Sequence, residues 1–381
     1  MNDVLGIGIV CYPSFGGSGV VAAELAQGLA QRGHRVHVLA SAPPSRMLTE
    51  SDRLRIHTVQ VPDYAVFEHR PYELAMAAAI VDVATAERLD LLHVHYAIPH
   101  AASAHTARQI LGRAAPRCVI TLHGTDVTRA ETPGHRAVTR FMVAAADHVT
   151  VPSAFLRDAA HRQLGLAHAP PIEVIPNFVD TDHFLPPGRR DRARFRHLFA
   201  DDGAVLFHVS NFRSVKRTND LVDVLADVHR RVPAHLVLVG DGPERAHTAD
   251  HARARGVADR IHFLGQRADF AADLAHADAF LLPSESESFG VAALEALSAG
   301  VPVFGYRVGG LPEVVVDGTG VLVEPFDTAA LARAVLDVVT DPDRRAALAG
   351  AARAHALAHF SRDTALDRFE ACFRRVLEKR L

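Results

Sequence analysis

Short apolar or β-branched runs alternate along the chain with stretches of helical period. Leu5–Cys11, Val36–Ala40, Leu91–His95, Cys118–Leu122 and His148–Val151 read as strands separated by helices. That rhythm predicts an α/β architecture with a parallel, doubly wound sheet, since strands joined through crossover helices are covered on both faces. At Ala167–Asn177 the sequence AHAPPIEVIPN sets two prolines side by side and loses helical period, which marks an interdomain crossing. The rhythm then restarts with Leu206–Val209, His235–Val239, Ile261–Phe263, Ala279–Leu282, Val301–Phe304 and Val321–Val323, predicting a second sheet of the same kind. The helical stretch after Asp341 runs to the last residue. The expected domains are residues 1–170 and 171–359, with the helix 360–381 expected to rejoin the first.

Composition agrees with this picture. A chain of 381 residues suits two domains, and 49% hydrophobic with 22% charged residues is the balance of a globular protein. A formal charge of −3 argues against nucleic acid as a partner, because counterion release needs a basic stripe. Cys11, Cys118 and Cys372 are odd in number, far apart and without metal-ligand spacing, which points to a reducing compartment and a cytoplasmic location. Leu5–Ala23 carries no charge, yet Pro13 and its glycines interrupt it and no basic segment precedes it, so neither a signal peptide nor a membrane span is expected. Of 41 basic residues only Lys216 and Lys379 are lysine: either position 216 needs a compact ammonium rather than a planar guanidinium, or the lysine is a chance survivor, and composition alone does not choose between them.

Five segments offer chemistry. Gly16-Gly17-Ser18-Gly19 follows the first strand and opens a helix, where free amides meet an anion. Its spacing is not that of a dinucleotide fingerprint, and the second strand ends without a ribose-binding acid; a tight structural turn is the plainer alternative. Asn211-Phe212-Arg213-Ser214-Val215-Lys216-Arg217 follows the first strand of the second half, where Arg213, Lys216 and Arg217 suit a diphosphate, unless they are simply solvated charge. Glu287-Ser288-Phe289-Gly290 leads into a helix that carries Glu295; its free amides suit a phosphate and Glu295 suits two ribose hydroxyls, whereas a surface helix capped by Ser288 is the plainer alternative. Gly309-Gly310-Leu311-Pro312-Glu313 offers another anion or base-edge contact, or a simple turn, and His123-Gly124-Thr125-Asp126 places an imidazole at a strand end.

Taken in order, these motifs resemble the family-4 retaining glycosyltransferases, whose hallmark of two glutamates eight apart corresponds to Glu287 and Glu295. The resemblance spans nearly the whole chain and includes Gly240-Asp241-Gly242-Pro243-Glu244. It implies a GT-B fold, two Rossmann-like domains facing across a cleft. Cys11-Tyr12-Pro13, Tyr64-Ala65-Val66-Phe67, His93-Val94-His95-Tyr96-Ala97-Ile98-Pro99-His100 and Ser210-Asn211-Phe212-Arg213 are similar to the branch of the family that opens bacillithiol biosynthesis. That similarity implies transfer of N-acetylglucosamine from UDP-N-acetylglucosamine to the hydroxyl of L-malate, with no cofactor and no bound metal. It implies catalytic roles for His123, Lys216, Glu287 and Arg213. Donor contacts are expected from Gly17, Ser18, Arg213, Lys216, Glu287, Ser288, Phe289, Gly290 and Glu295, and acceptor contacts from Tyr96, Thr121, Arg140 and Asn211. Asn211 departs from the family, which commonly has arginine there, and suits an acceptor better than a diphosphate. The same fold with another acceptor (inositol phosphate, a sugar, a lipid headgroup) and a non-catalytic nucleotide-sugar sensor are the competing functions. A homo-oligomer is compatible with the sequence.

Overall fold

The computed structural model describes residues 4–13, 17–44, 49–61, 71–128, 132–166, 171–188, 192–195, 197–199 and 201–378; the Tyr64–Phe67 run, Gly16 and Lys379 lie outside these. The chain forms two compact units, one running to Asn177 and resuming at Arg362, the other Phe178–Ser361.

The first unit holds a parallel sheet of seven strands: β1 (Gly6–Val10), β2 (Arg35–Ala40), β3 (Leu54–Thr58), β4 (Leu91–His95), β5 (Arg117–Thr121), β6 (His148–Val151) and β7 (Ile172–Val174), in the order β3-β2-β1-β4-β5-β6-β7. All five residues of β1 and of β4 are buried, as expected of central strands covered on both faces. Two strands were not anticipated. β3, LRIHT, sits at the sheet edge with mixed exposure, and β7 is three residues long within the proline-rich crossing. Because β7 pairs with β6 through Val149–Ile172 and Val151–Val174, the seam lies after Asn177, beyond the expected 170/171. The helix Arg362–Glu378 also belongs here. Its Leu366 fills the space where a Cβ on Gly28 would stand, 2.7 Å from Leu366 Cδ1, and Arg32 pairs with Asp367 at 2.6 Å and Asp363 at 3.4 Å.

The second unit holds six parallel strands: β8 (Ala204–Val209), β9 (Ala234–Val239), β10 (Ile261–Gly265), β11 (Ala279–Leu282), β12 (Val303–Tyr306) and β13 (Gly320–Val323), ordered β10-β9-β8-β11-β12-β13. Phe207, Phe280, Phe289 and Leu297 build the core on one face and Leu225, Leu236, Phe304 and Leu331 on the other. In each sheet the strand order reverses once, at β1/β4 and at β8/β11. The crevice outside the carboxyl ends at such a reversal is where open α/β sheets take ligands. Among the described residues no helix is long and apolar enough to cross a membrane.

Candidate active site

In the second unit, the loops leaving β8 and β11 converge at the β8/β11 reversal. Lys216 ends a short 3₁₀ turn, Ser214–Lys216, and its Nζ stands 2.6 Å from Glu287 Oε1. Both side chains are largely buried. Three backbone contacts hold the pair: Glu285 N–H donates to Val215 O (2.8 Å), Gly310 N–H donates to Glu287 O (2.8 Å), and Lys216 N–H donates to Arg213 O (2.8 Å). Gly309, at φ 56°, backs onto the Glu287 carbonyl so closely that a Cβ would lie 1.9 Å from its oxygen. The Gly309-Gly310 turn, offered by sequence as an anion contact, spends the Gly310 amide on fixing Glu287.

The helix that follows, Val291–Ser298, has Gly290 at its N-cap with φ 100° and no side-chain cap. The N-cap position is therefore Gly290 and not Ser288. With glycine at the N-cap, no N-cap side chain takes up its first amides, and the partial positive charge of the helix start favours an anion there. Glu295 lies within this helix and is buried. Phe289 is a core side chain, edge-on to Phe360 at 5.7 Å, so its contribution to a donor comes through its backbone.

Arg213 and Asn211 are exposed on the loop after β8. Arg217 behaves differently from the sequence expectation. Asp220 accepts from its Nε and Nη2 (2.7 and 2.9 Å), Tyr306 O–H donates to the same carboxylate (2.6 Å), and the Phe326 ring covers the guanidinium at 4.6 Å. A cation so engaged braces the start of the next helix instead of neutralising a diphosphate. The glycines of Gly240-Asp241-Gly242 have a packing role, since a Cβ at Gly242 would lie 2.1 Å from Asn211 O. His208, which sequence reasoning passed over, ties β8 to β11: its Nδ1–H donates to Leu281 O (2.8 Å) and its Nε2 accepts from Ser210 Oγ (2.8 Å). Burial holds it neutral, down to about 4.

In the first unit the β1/β4 reversal gathers Gly17 and Ser18 at the start of the helix Gly17–Gln31, Tyr96 after β4 and His123 after β5. Ser18 Oγ and the Tyr96 hydroxyl are 2.8 Å apart, and the Tyr96 and His123 rings lie 5.0 Å apart. Tyr96 has φ 79°, an unusual backbone for a bulky residue and one found where a site requires it. Asp126 closes the His123 turn, accepting from the His123 and Gly124 amides at Oδ1 (3.2 and 3.0 Å) and from Ala97 N–H at Oδ2 (3.2 Å). Burial raises its carboxyl, opposed by those bonds.

Thr121 departs from its expected role. It is buried, and its hydroxyl is engaged by His93 Nε2 (2.7 Å) and Thr150 Oγ1 (2.6 Å), which ties it to the sheet rather than presenting it to an acceptor substrate. Thr121→Val should cost about 2–3 kcal/mol of stability, since it removes two buried hydrogen bonds and leaves the His93 N–H without its acceptor, and leave the acceptor KM unchanged; thermal unfolding beside steady-state kinetics measures both. Arg140 lies exposed on the helix Pro133–Ala144. Among the described residues the grouping His148, Glu173 and Cys372 has metal-ligand dimensions. Glu173 there is already clamped by Arg375 (2.8 and 2.6 Å) and His148 (2.9 Å), which does not fit a cation.

Two family models match the chain, "Glycosyltransferase Family 4" over residues 15–183 and "Glycosyl transferases group 1" over residues 189–355. The N-acetyl-alpha-D-glucosaminyl L-malate synthase of Bacillus anthracis is 39% identical over 377 residues, 98% of this chain and 97% of that protein. This chain belongs to the family-4 glycosyltransferases.

A D-inositol 3-phosphate glycosyltransferase of Actinosynnema mirum is 32% identical to this glycosyltransferase, across 90% of this chain and 88% of its own. Among solved structures, a sucrose-phosphate synthase from Thermosynechococcus elongatus superposes with a TM-score of 0.80 at 22% identity, covering 98% of this chain and 99% of its own. An Anabaena protein crystallised with UDP and glucose gives 0.78 at 21% identity, covering 97% and 99%. These likenesses establish the GT-B fold of the glycosyltransferase.

Proposed function

We propose that this glycosyltransferase moves N-acetylglucosamine from UDP-N-acetylglucosamine to the hydroxyl of L-malate, keeping the configuration at the anomeric carbon. The observation that carries the reading is the Lys216–Glu287 pair followed by a glycine-capped helix start, at the strand-order reversal of the second sheet. A diphosphate leaving group gains negative charge as the glycosidic bond breaks, and preorganised cations and amides stabilise that charge most effectively. Lys216, Arg213 and the amides after Gly290 supply them, so the proposed reaction needs no bound metal. Glu295 takes the ribose hydroxyls and Glu287 holds a sugar hydroxyl while orienting Lys216.

On the first unit, His123 contacts the transferred sugar, and the Gly17 and Ser18 amides contact phosphate or acceptor. Malate is a dianion and calls for hydroxyl and cationic donors. Tyr96 and Arg140 are the proposed acceptor contacts of the first unit and Asn211 that of the second. The identity of the donor sugar and of malate is supported by the full-length similarity to the Bacillus anthracis synthase. Retention by same-face attack, in which the departing phosphate takes the acceptor proton, suits a site whose imidazole is held neutral; burial pushes His123 down to about 3.

The test is a UDP-release screen of UDP-N-acetylglucosamine, UDP-glucose and GDP-mannose against L-malate, inositol phosphate and simple sugars. The highest kcat/KM is expected for UDP-N-acetylglucosamine with L-malate, and an α-linked product by NMR. Preference for inositol phosphate would move the chain to the other branch. Donor binding without turnover on any acceptor would make it a sensor.

A further inference from the structure

The buried histidines behind His123 form a hydrogen-bonded ladder whose protons can be assigned. His95 Nδ1 lies 2.8 Å from His123 Nε2, with the two ring planes 15° apart and 5.1 Å between centroids, so that the rings meet edge to edge. His95 is fully buried, and its Nε2 meets no hydrogen-bond partner among the described residues. A neutral imidazole has one N–H and one bare nitrogen, and a buried orphan N–H is rarer in folded proteins than an under-satisfied acceptor. The proton of His95 therefore sits on Nδ1 and is donated to His123.

The neighbouring histidines obey the same logic. His93 Nδ1 is also unpartnered, so its proton sits on Nε2 and is donated to Thr121 Oγ1 at 2.7 Å. His100 donates from Nδ1 to the His95 carbonyl (2.7 Å) and accepts the Tyr72 hydroxyl at Nε2 (2.9 Å), which fixes the backbone on which His95 is mounted. Burial keeps all four rings neutral.

We infer that His95 is a positioning residue that sets the tautomer of His123: by donating to Nε2 it forces the His123 proton onto Nδ1, so that His123 meets its ligand as a hydrogen-bond donor and not as a base. With Nε2 committed to His95, Nδ1 is the ring nitrogen left for a ligand, and the group it meets must be an acceptor: a sugar hydroxyl oxygen, a carboxylate or a phosphate oxygen. The catalytic part of this inference rests on the proposal that His123 touches the substrate; the tautomer itself does not.

Two measurements on the full chain test it. Long-range proton–nitrogen NMR spectra of protein labelled at histidine nitrogen, with His123 assigned by its loss in His123→Gln, should show His123 protonated at Nδ1. An Nε2-protonated or doubly protonated His123 would overturn the inference whatever the enzyme's substrates are. In kinetics, His95→Asn places an amide N–H where Nδ1–H stood and should keep kcat/KM within about threefold, whereas His95→Phe removes the donor and should lose about tenfold, the worth of one uncharged hydrogen bond. Equal losses in the two variants would overturn the positioning role. An Nδ1 tautomer in a protein that does not turn over malate would instead sink only the proposed reaction.

Discussion

Lys216→Ala will lower kcat by about 10²–10³-fold, the scale seen when one preorganised group facing developing charge is removed, and Lys216→Arg will not restore it. The ammonium sits 2.6 Å from Glu287 Oε1 in a largely buried setting. Taking it away removes the charge proposed to meet the diphosphate and leaves a carboxylate in low-dielectric surroundings without its partner, a costly arrangement. Arginine keeps the charge but brings a planar fork, longer and wider than the ammonium, into a space defined by the loops at Val215 and Gly310. Single-turnover rates and UDP affinity for wild type, Lys216→Ala, Glu287→Gln and the double variant form a cycle. Strong non-additivity is expected, because the two residues act as a unit. Near-normal turnover in Lys216→Arg would mean that a compact ammonium is not required at 216.

Gly309→Ala will cripple the enzyme from a position that carries no functional group. Its Cβ would lie 1.9 Å from the Glu287 carbonyl oxygen, and its φ of 56° is unfavourable for a side chain. No rotamer change relieves a clash between a Cβ and a backbone carbonyl. The turn must move, and the 2.8 Å bond from Gly310 N–H to Glu287 O goes with it. A stability loss of about 2–3 kcal/mol is expected, in the range of special-backbone substitutions. A kcat loss of about 100-fold should accompany it, since a misplacement near 1 Å in a catalytic constellation carries that scale of penalty. Thermal unfolding, UDP titration and kcat together read it. Normal kcat in a destabilised protein would show that the turn supports the fold without setting Glu287.

The two sheets were legible because their central strands are covered on both faces, so that GIGIV and AFLL read as continuous apolar runs. β3 was not, because an edge strand such as LRIHT mixes exposed and buried positions and loses that signal. β7 was hidden by the prolines around it. Lys216, Glu287 and Glu295 were legible as residue types at characteristic places. That Lys216 and Glu287 would meet was not, because 71 positions separate them and only the β8/β11 pairing brings their loops together. Local spacing likewise does not show which charges are already engaged. Asp220 lies three residues after Arg217, but Tyr306, which completes that contact, comes from a distant strand. The histidine ladder did leave a trace. His93 and His95 are two apart on a strand, so they share one face, and that face carries the chain of bonds to His123.

The helix Arg362–Glu378 has its contacts on the unit that begins the chain, through Leu366 over Gly28 and Arg375 on Glu173. During synthesis the ribosome must therefore release the whole of Phe178–Ser361 before the first unit can obtain its last covering helix. The first unit has all seven of its strands before Phe178 is made, yet it lacks this helix until the contiguous second unit has been synthesised, so the order of completion is the reverse of the usual amino-to-carboxyl progression. Until then the surface at Gly28, which Leu366 covers, and at His93, which Phe369 and Phe373 cover at 5.2 and 5.3 Å between ring centres, waits uncovered on the nascent polypeptide, and that interval is when a chaperone would find most to hold.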